Sequence, residues 1–175
     1  IAPADASAPP RQITHLGGQV HVDSWSPDGR TIAVHRHQGL ATTMFMVPAS
    51  GEGESQPFAQ GEAQAESAQW SPDGRYVAYL SADSGQREIY VRPYPGPGSR
   101  VTVSVDGGRE PRWAANGDLT YRSLSGETIF AVTASTVPTL ALGTPVPLFR
   151  GRFFVAPTGS PRAQYDLTRD GRLFL

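Results

Sequence analysis

The chain has 175 residues, a formal charge of −1, 16 Pro, 19 Gly and no Cys. One residue in five is Pro or Gly, against about one in eight in ordinary domains, which fits a turn-rich β protein and excludes a helical bundle, a coiled coil or a disordered chain. Near-neutral charge excludes a long-range field that would gather nucleic acid or an anionic membrane, and without Cys there is no disulfide, thiolate nucleophile or Cys-ligated metal.

The chain opens on Ile rather than Met and reads as a processed or excised product. Residues 1–10, Ile-Ala-Pro-Ala-Asp-Ala-Ser-Ala-Pro-Pro, read as a linker or mature N-terminal tail. A Pro-rich tail with no apolar stripe is not expected to order alone, so its own domain or a neighbouring molecule must hold it. Arg11–Leu16 reads as an outer strand with no sheet of its own. β-rich runs follow at His21–Trp25, Thr31–His37, Thr42–Val47 and Gln56–Gln60, then at Ala65–Trp70, Tyr76–Ala82, Glu88–Arg92 and Arg100–Val105. A third set is Glu110–Trp113, Leu119–Ser123, Thr128–Thr133 and Val146–Arg150. Only Gln164–Leu167 and Arg172–Leu175 remain for a fourth. Ala131–Leu142 comes nearest to a helical pattern, but its Thr-Val-Pro interruption argues against a helix. No apolar run approaches the roughly 18 residues of a membrane helix, and no signal-peptide pattern is present.

An internal repeat organises these runs. Trp25-Ser-Pro-Asp-Gly-Arg30 recurs unchanged as Trp70-Ser-Pro-Asp-Gly-Arg75, with decayed copies at Trp113-Ala-Ala-Asn-Gly-Asp118 and Leu167-Thr-Arg-Asp-Gly-Arg172. Gly29, Gly74, Gly117 and Gly171 lie 45, 43 and 54 residues apart, near the period of a four-stranded propeller blade. Ser-Pro-Asp-Gly fits a type I turn: Pro27 and Pro72 take the position whose φ proline presets, and Asp28, Asp73 and Asp170 cap it. Glycine then takes the left-handed position that closes the hairpin. Each Trp ahead of a turn is placed to wedge between neighbouring blades.

The two intact copies, each followed by an apolar strand (Thr-Ile-Ala-Val and Tyr-Val-Ala-Tyr), resemble the WD-like β-propeller repeats of TolB-type proteins. Gly107-Gly-Arg-Glu-Pro-Arg-Trp113, Gly143-Thr-Pro-Val-Pro-Leu-Phe149 and Tyr165-Asp-Leu-Thr-Arg-Asp-Gly-Arg-Leu-Phe-Leu175 resemble one branch of that family, found as C-terminal or sensor-like regions of larger bacterial proteins, some of them serine/threonine kinases. The resemblance covers residues 11–175. It implies an all-β propeller of about four blades, with repeats near 17–60, 61–105, 106–150 and 151–175 and the last blade incomplete. TolB-like propellers usually have six or more blades. Residues 11–16 would complete blade four by ring closure, or the chain is a piece of a longer propeller, or its open edges pair with another copy.

Candidate chemistry is sparse. Across the first turn, residues whose numbers sum to about 56 pair, which sets His21 opposite His35 with His37 on the same face. Three imidazoles within reach are a candidate divalent-metal set. Packing between blades or a place on a solvated edge is the reading adopted, because only Asp23, two residues from His21 on the same face, stands where it could orient one of them. No Gly-x-Ser-x-Gly elbow occurs, and Ser50 and Ser55 bracket a solvated loop. Asp166 and Asp170 flank a turn and read as caps rather than a glycosidase pair. Each repeat turn carries one carboxylate, short of a Ca²⁺ loop. Arg109, Arg112 and Trp113 are a candidate anion-binding or stacking patch, with inter-blade ion pairing the preferred account because Glu110 lies between them. All fifteen basic residues are Arg. GC-rich coding explains this most simply, and selection for bidentate ion pairs is the alternative.

Together these features point to a non-catalytic propeller without a cofactor. It would serve as a platform for a protein partner or for copies of itself, joined through residues 1–16 or edge strands. Neither nucleic acid nor membrane insertion is expected. The resemblance implies a periplasmic or extracellular setting in bacteria. The alternatives are a subunit that polymerises and an accessory or sensor propeller of a larger peptidase or kinase.

Overall fold

The computed structural model describes residues 1–151, 165–168 and the backbone of 173–174. Asp170, Gly171 and most of the fourth repeat lie outside the described residues. Strands in the first repeat are β1 (Gln19–Trp25), β2 (Thr31–Gln38), β3 (Ala41–Pro48) and β4 (Gln56–Phe58). The second has β5 (Glu66–Trp70), β6 (Tyr76–Ser81), β7 (Glu88–Pro93) and β8 (Val101–Thr102). Next come β9 (Arg109–Trp113), β10 (Leu119–Arg122), β11 (Thr128–Val132), β12 (Ala134–Ser135), β13 (Ala141–Leu142) and β14 (Val146–Arg150), then β15 (Asp166–Leu167) and β16 (Leu173–Phe174). Three antiparallel sheets, β1-β2-β3-β4, β5-β6-β7-β8 and β9-β10-β11-β14, are successive blades. The short pair β15-β16 is the part of a fourth that is described.

Blades stack face to face because their middle strands turn apolar residues toward the neighbouring sheet; β6 of blade two does so on both sides. The first interface joins Ala33, Met44, Met46 and Phe58 to Ala68, Trp70, Val77 and Tyr79. The second joins Ala78, Leu80, Ile89 and Val91 to Leu119, Tyr121 and Val132. Blade two lies between both, and all six residues of β6 are buried.

The turn geometry repeats atom for atom in the two intact copies. The Ser26 hydroxyl donates to Asp28 Oδ1 at 2.6 Å and accepts the Thr31 amide at 2.9 Å. Ser71 does the same with Asp73 at 2.6 Å and Tyr76 at 3.0 Å. The Gly29 and Gly74 amides close their turns onto the Ser26 and Ser71 carbonyls at 2.9 Å, with φ of +71° and +73°. In the third copy Ala114 replaces the serine and its amide bonds to the Asp118 carbonyl at 2.8 Å, a loop one residue shorter.

Residues 11–16 form no strand. Ile13 and Leu16 instead pack on the outer face of blade one, against the Ile32, Val34, Phe45 and Val47 cluster. The tail before them folds back on itself: the Ile1 ammonium donates to the Arg11 carbonyl at 2.7 Å, and the Arg11 amide donates to the Ile1 carbonyl at 2.8 Å. β4 stops at Phe58 because Ala59 turns to φ +53°. The run at Arg100–Val105 pairs as a strand only over Val101–Thr102. Within Ala131–Leu142 the chain makes a small hairpin, β12-β13, that reaches back to blade two, where the Tyr76 hydroxyl accepts the Leu140 amide at 3.1 Å.

Candidate functional site

Two strands and one bulge build the histidine cluster. His21 on β1 pairs with His35 on β2, and Gln19 pairs with His37, so the three imidazoles share the face toward blade two. The register slips between Val22 and Ser24. A bulge re-aims the side chains beside it, and here both Asp23 and Ser24 turn toward the blade interface, where Ser24 Oγ donates to the Ala68 carbonyl at 2.6 Å. Asp23 therefore meets His35, not His21: Asp23 Oδ1 lies 2.8 Å from His35 Nδ1, with side-chain exposures of 1% and 0%. His37 Nδ1 lies 3.0 Å from Thr42 Oγ1. The rings of His21 and His35 stack with centroids 5.0 Å apart, and His37 stands edge-on to both at 5.3 and 5.1 Å. Burial, with the other two imidazoles beside it, holds His21 below the usual histidine range.

The arginine set does not form one patch. Arg109 Nε lies 3.2 Å from Glu110 Oε1, and buried Arg122 lies 3.4 Å from Glu110 Oε2. Arg112 donates to the Pro111 carbonyl at 3.3 Å. Trp113 leaves both to pack against blade two, where its Nε1 donates to the Gln69 carbonyl at 3.2 Å. The geometry pairs Arg109 and Arg122 with Glu110 of their own sheet, and Trp113 joins that sheet to blade two through its indole.

Other candidates have local partners. Asp28 and Asp73 each accept the hydroxyl of their own turn serine and the amide two residues on, Arg30 at 3.0 Å and Arg75 at 3.1 Å. Ser50 caps the Glu52 amide at 3.1 Å, and Ser55 bonds Thr14 at 3.0 Å. Asp166 accepts the Leu167 amide at 2.9 Å. Among the described residues, the hydroxyl that meets an imidazole is that of Thr42.

The repeat tryptophans expose an asymmetry. Trp70 is buried at the first interface and stands edge-on to Tyr94 at 4.6 Å. Trp25 holds the equivalent place on blade one, faces away from blade two, and is 46% exposed beside Val22 at 66%. A charge network on blade two has no signal in the repeat. Glu62 accepts Arg92 at 2.8 Å, Arg100 at 2.6 Å and the Tyr79 hydroxyl at 3.0 Å.

No protein-family model matches the chain, and no curated protein matches it. Solved structures do. A TolB-type protein of Agrobacterium tumefaciens superposes with a TM-score of 0.63 at 19% identity, over 85% of this chain and 56% of that one. The TolB of Acinetobacter baumannii gives 0.63 at 20%, over 97% of this chain and 40% of that one. A puromycin hydrolase gives 0.56 at 16%, over 79% and 24%. The fold is thus the TolB-like β-propeller, and the chain spans about half or less of the length of the structures it matches. One neighbour is a hydrolase, so the fold by itself assigns neither catalysis nor its absence.

Proposed function

We propose that this chain is a non-catalytic propeller segment that acts as a protein-interaction and assembly surface in the bacterial envelope or outside the cell. The observation that carries the proposal is the outer face of blade one. Val22 and Trp25 are exposed there beside the Ile32, Val34, Phe45 and Val47 cluster, and among the described residues Ile13, Leu16, Val20 and the Arg36 guanidinium over Phe45 cover part of that face. The same position in blade two, Trp70, is sealed by a neighbouring sheet. A face of this composition fits another blade-like sheet rather than a small polar ligand. The serines, aspartates and turn carboxylates described above are held by local caps, which favours a scaffold over a hydrolase. Near-neutral charge favours a protein partner over nucleic acid.

The test is association in solution. Sedimentation velocity over a wide concentration range should show the chain self-associating, and Val22→Glu with Trp25→Glu should return it to a monomer that melts where the dilute wild-type chain does. A wild-type chain that stays monomeric throughout would sink the assembly reading. A second reading has one observation in its favour: matched structures are longer than this chain. In an accessory propeller of a larger protein, the same face would be covered by a preceding blade.

A further inference from the structure

We propose that His21, His35 and His37 form a binding site for one divalent late transition metal ion, of the zinc, cobalt, nickel or copper class. One ligand nitrogen from each ring can be chosen so that all lie within 4.8 Å of one another. Tetrahedral zinc with Zn–N near 2.0–2.1 Å sets its ligand nitrogens about 3.4 Å apart. His21 and His37 are half-buried and stand at one end of the sheet, so small side-chain rotations close that difference while the strand pairing stays fixed.

The decisive atom is His35 Nε2. It is buried and has no hydrogen-bond partner. Its partner nitrogen, Nδ1, faces the Asp23 carboxylate at 2.8 Å. A carboxylate there fixes the proton on Nδ1 and leaves Nε2 as a bare lone pair aimed away from the carboxylate. This is the carboxylate–histidine pairing that orients and strengthens a metal-ligating imidazole. Thr42 Oγ1 meets His37 at the same nitrogen, Nδ1, and when the hydroxyl accepts from Nδ1–H the Nε2 lone pair of His37 is open as well. Simple packing of three rings would account for the stacking but not for a buried acceptor left without a donor, which is costly in a protein interior.

The Asp23 carboxylate is the anion in contact with the cluster, and the nearby arginines are engaged elsewhere. Arg36 lies on the opposite face of β2, over the Phe45 ring at 4.9 Å. Arg87 is drawn to Glu66 at 3.8 Å. Three neutral imidazoles select borderline metals over Ca²⁺ or Mg²⁺, which want oxygen. Three protein ligands leave a fourth position for water or an incoming group.

The test uses the chain without a histidine tag. Isothermal titration with Zn²⁺ should give one site per chain, and Co²⁺ should show the ligand-field bands of a four-coordinate ion. His37→Gln and His21→Gln change half-buried positions and leave the buried His35 in place, so the fold is kept. Each should weaken binding more than about 100-fold, and Asp23→Asn about 10- to 100-fold. His15→Gln, an exposed histidine outside the cluster, should change nothing. Absence of one-to-one binding overturns the proposal, and so does binding that survives His37→Gln in a chain whose melting temperature shows it folded.

Discussion

At the scale of single residues, the turn serines carry more than their place in a repeat suggests. Gly29, Gly74 and Gly117 were legible in the sequence because a left-handed position has one cheap occupant. Ser71 was legible only as the first residue of a turn, yet its hydroxyl bridges Asp73 and the buried Tyr76 amide. Ser71→Ala should therefore cost about 1–3 kcal/mol, the penalty of a buried donor left unmade, read as a shift in the denaturant midpoint. A pH effect follows from the same turns. The Ser26 hydroxyl and the Arg30 amide hold Asp28 below the ordinary carboxylate range. Burial pushes Asp73 up, but hydrogen bonds from Ser71, Thr136 and the Arg75 amide outweigh it and leave it lowered. Groups that bind protons less readily when folded add stability above the unfolded value, about 4, and lose it as pH falls through their folded values. Asp28→Asn with Asp73→Asn should flatten the acid limb of the stability curve, and an unchanged limb would contradict this account. Asp23 was not legible as the partner of His35, because a bulge shifts the face of a side chain without any mark in the alternation.

At the scale of elements, the strands that follow the Ser-Pro-Asp-Gly turns were the clearest to read, since a short continuous apolar run and the turn chemistry agreed there. The outer strands were not. Arg100–Val105 has strand composition, but its regular ladder covers only Val101–Thr102; beyond it the Val103 amide still donates to the Ile89 carbonyl at 2.8 Å, and the Ser104 hydroxyl takes over as acceptor of the Ile89 amide at 2.7 Å. Glu62 shows the same limit from the other side. It sits in a connection with no motif, and only the folded chain brings Arg92, Arg100 and Tyr79 around its carboxylate. Removing one partner of a fully buried pair costs roughly 3–5 kcal/mol. Both guanidinium groups here are about a quarter exposed, so Glu62→Gln should cost less, about 2 kcal/mol after solvent screening. A double-mutant cycle with Arg100→Ala should show the two changes to be strongly non-additive.

At the scale of the whole molecule, the repeat gave the number of blades, whereas no residue type announced which faces stay bare. Trp25 and Trp70 sit in identical hexapeptides, and their fates differ only through what lies beyond each sheet. The interior repays truncation accordingly. Met44→Ala, at the fully buried interface of blades one and two, should cost about 2–5 kcal/mol. Among the described residues blade two is packed on both faces, and Tyr165, buried against Thr120 and the Glu110 carbonyl, covers part of the far side of blade three, which leaves blade one as the described sheet with a bare face. Stacks of this kind lose order from their outer units, because stability is a sum of neighbour terms. Amide hydrogen exchange should then grade along the chain: slowest over Tyr76–Ser81, faster in β1 and β14, with the Val22 and Trp25 amides slowing only when the bare face is covered. Equal rates across the three sheets would mean that they open together as one unit. Blade two is thus the timekeeper for its bare neighbour, setting how long blade one can stand open before the described sheets part.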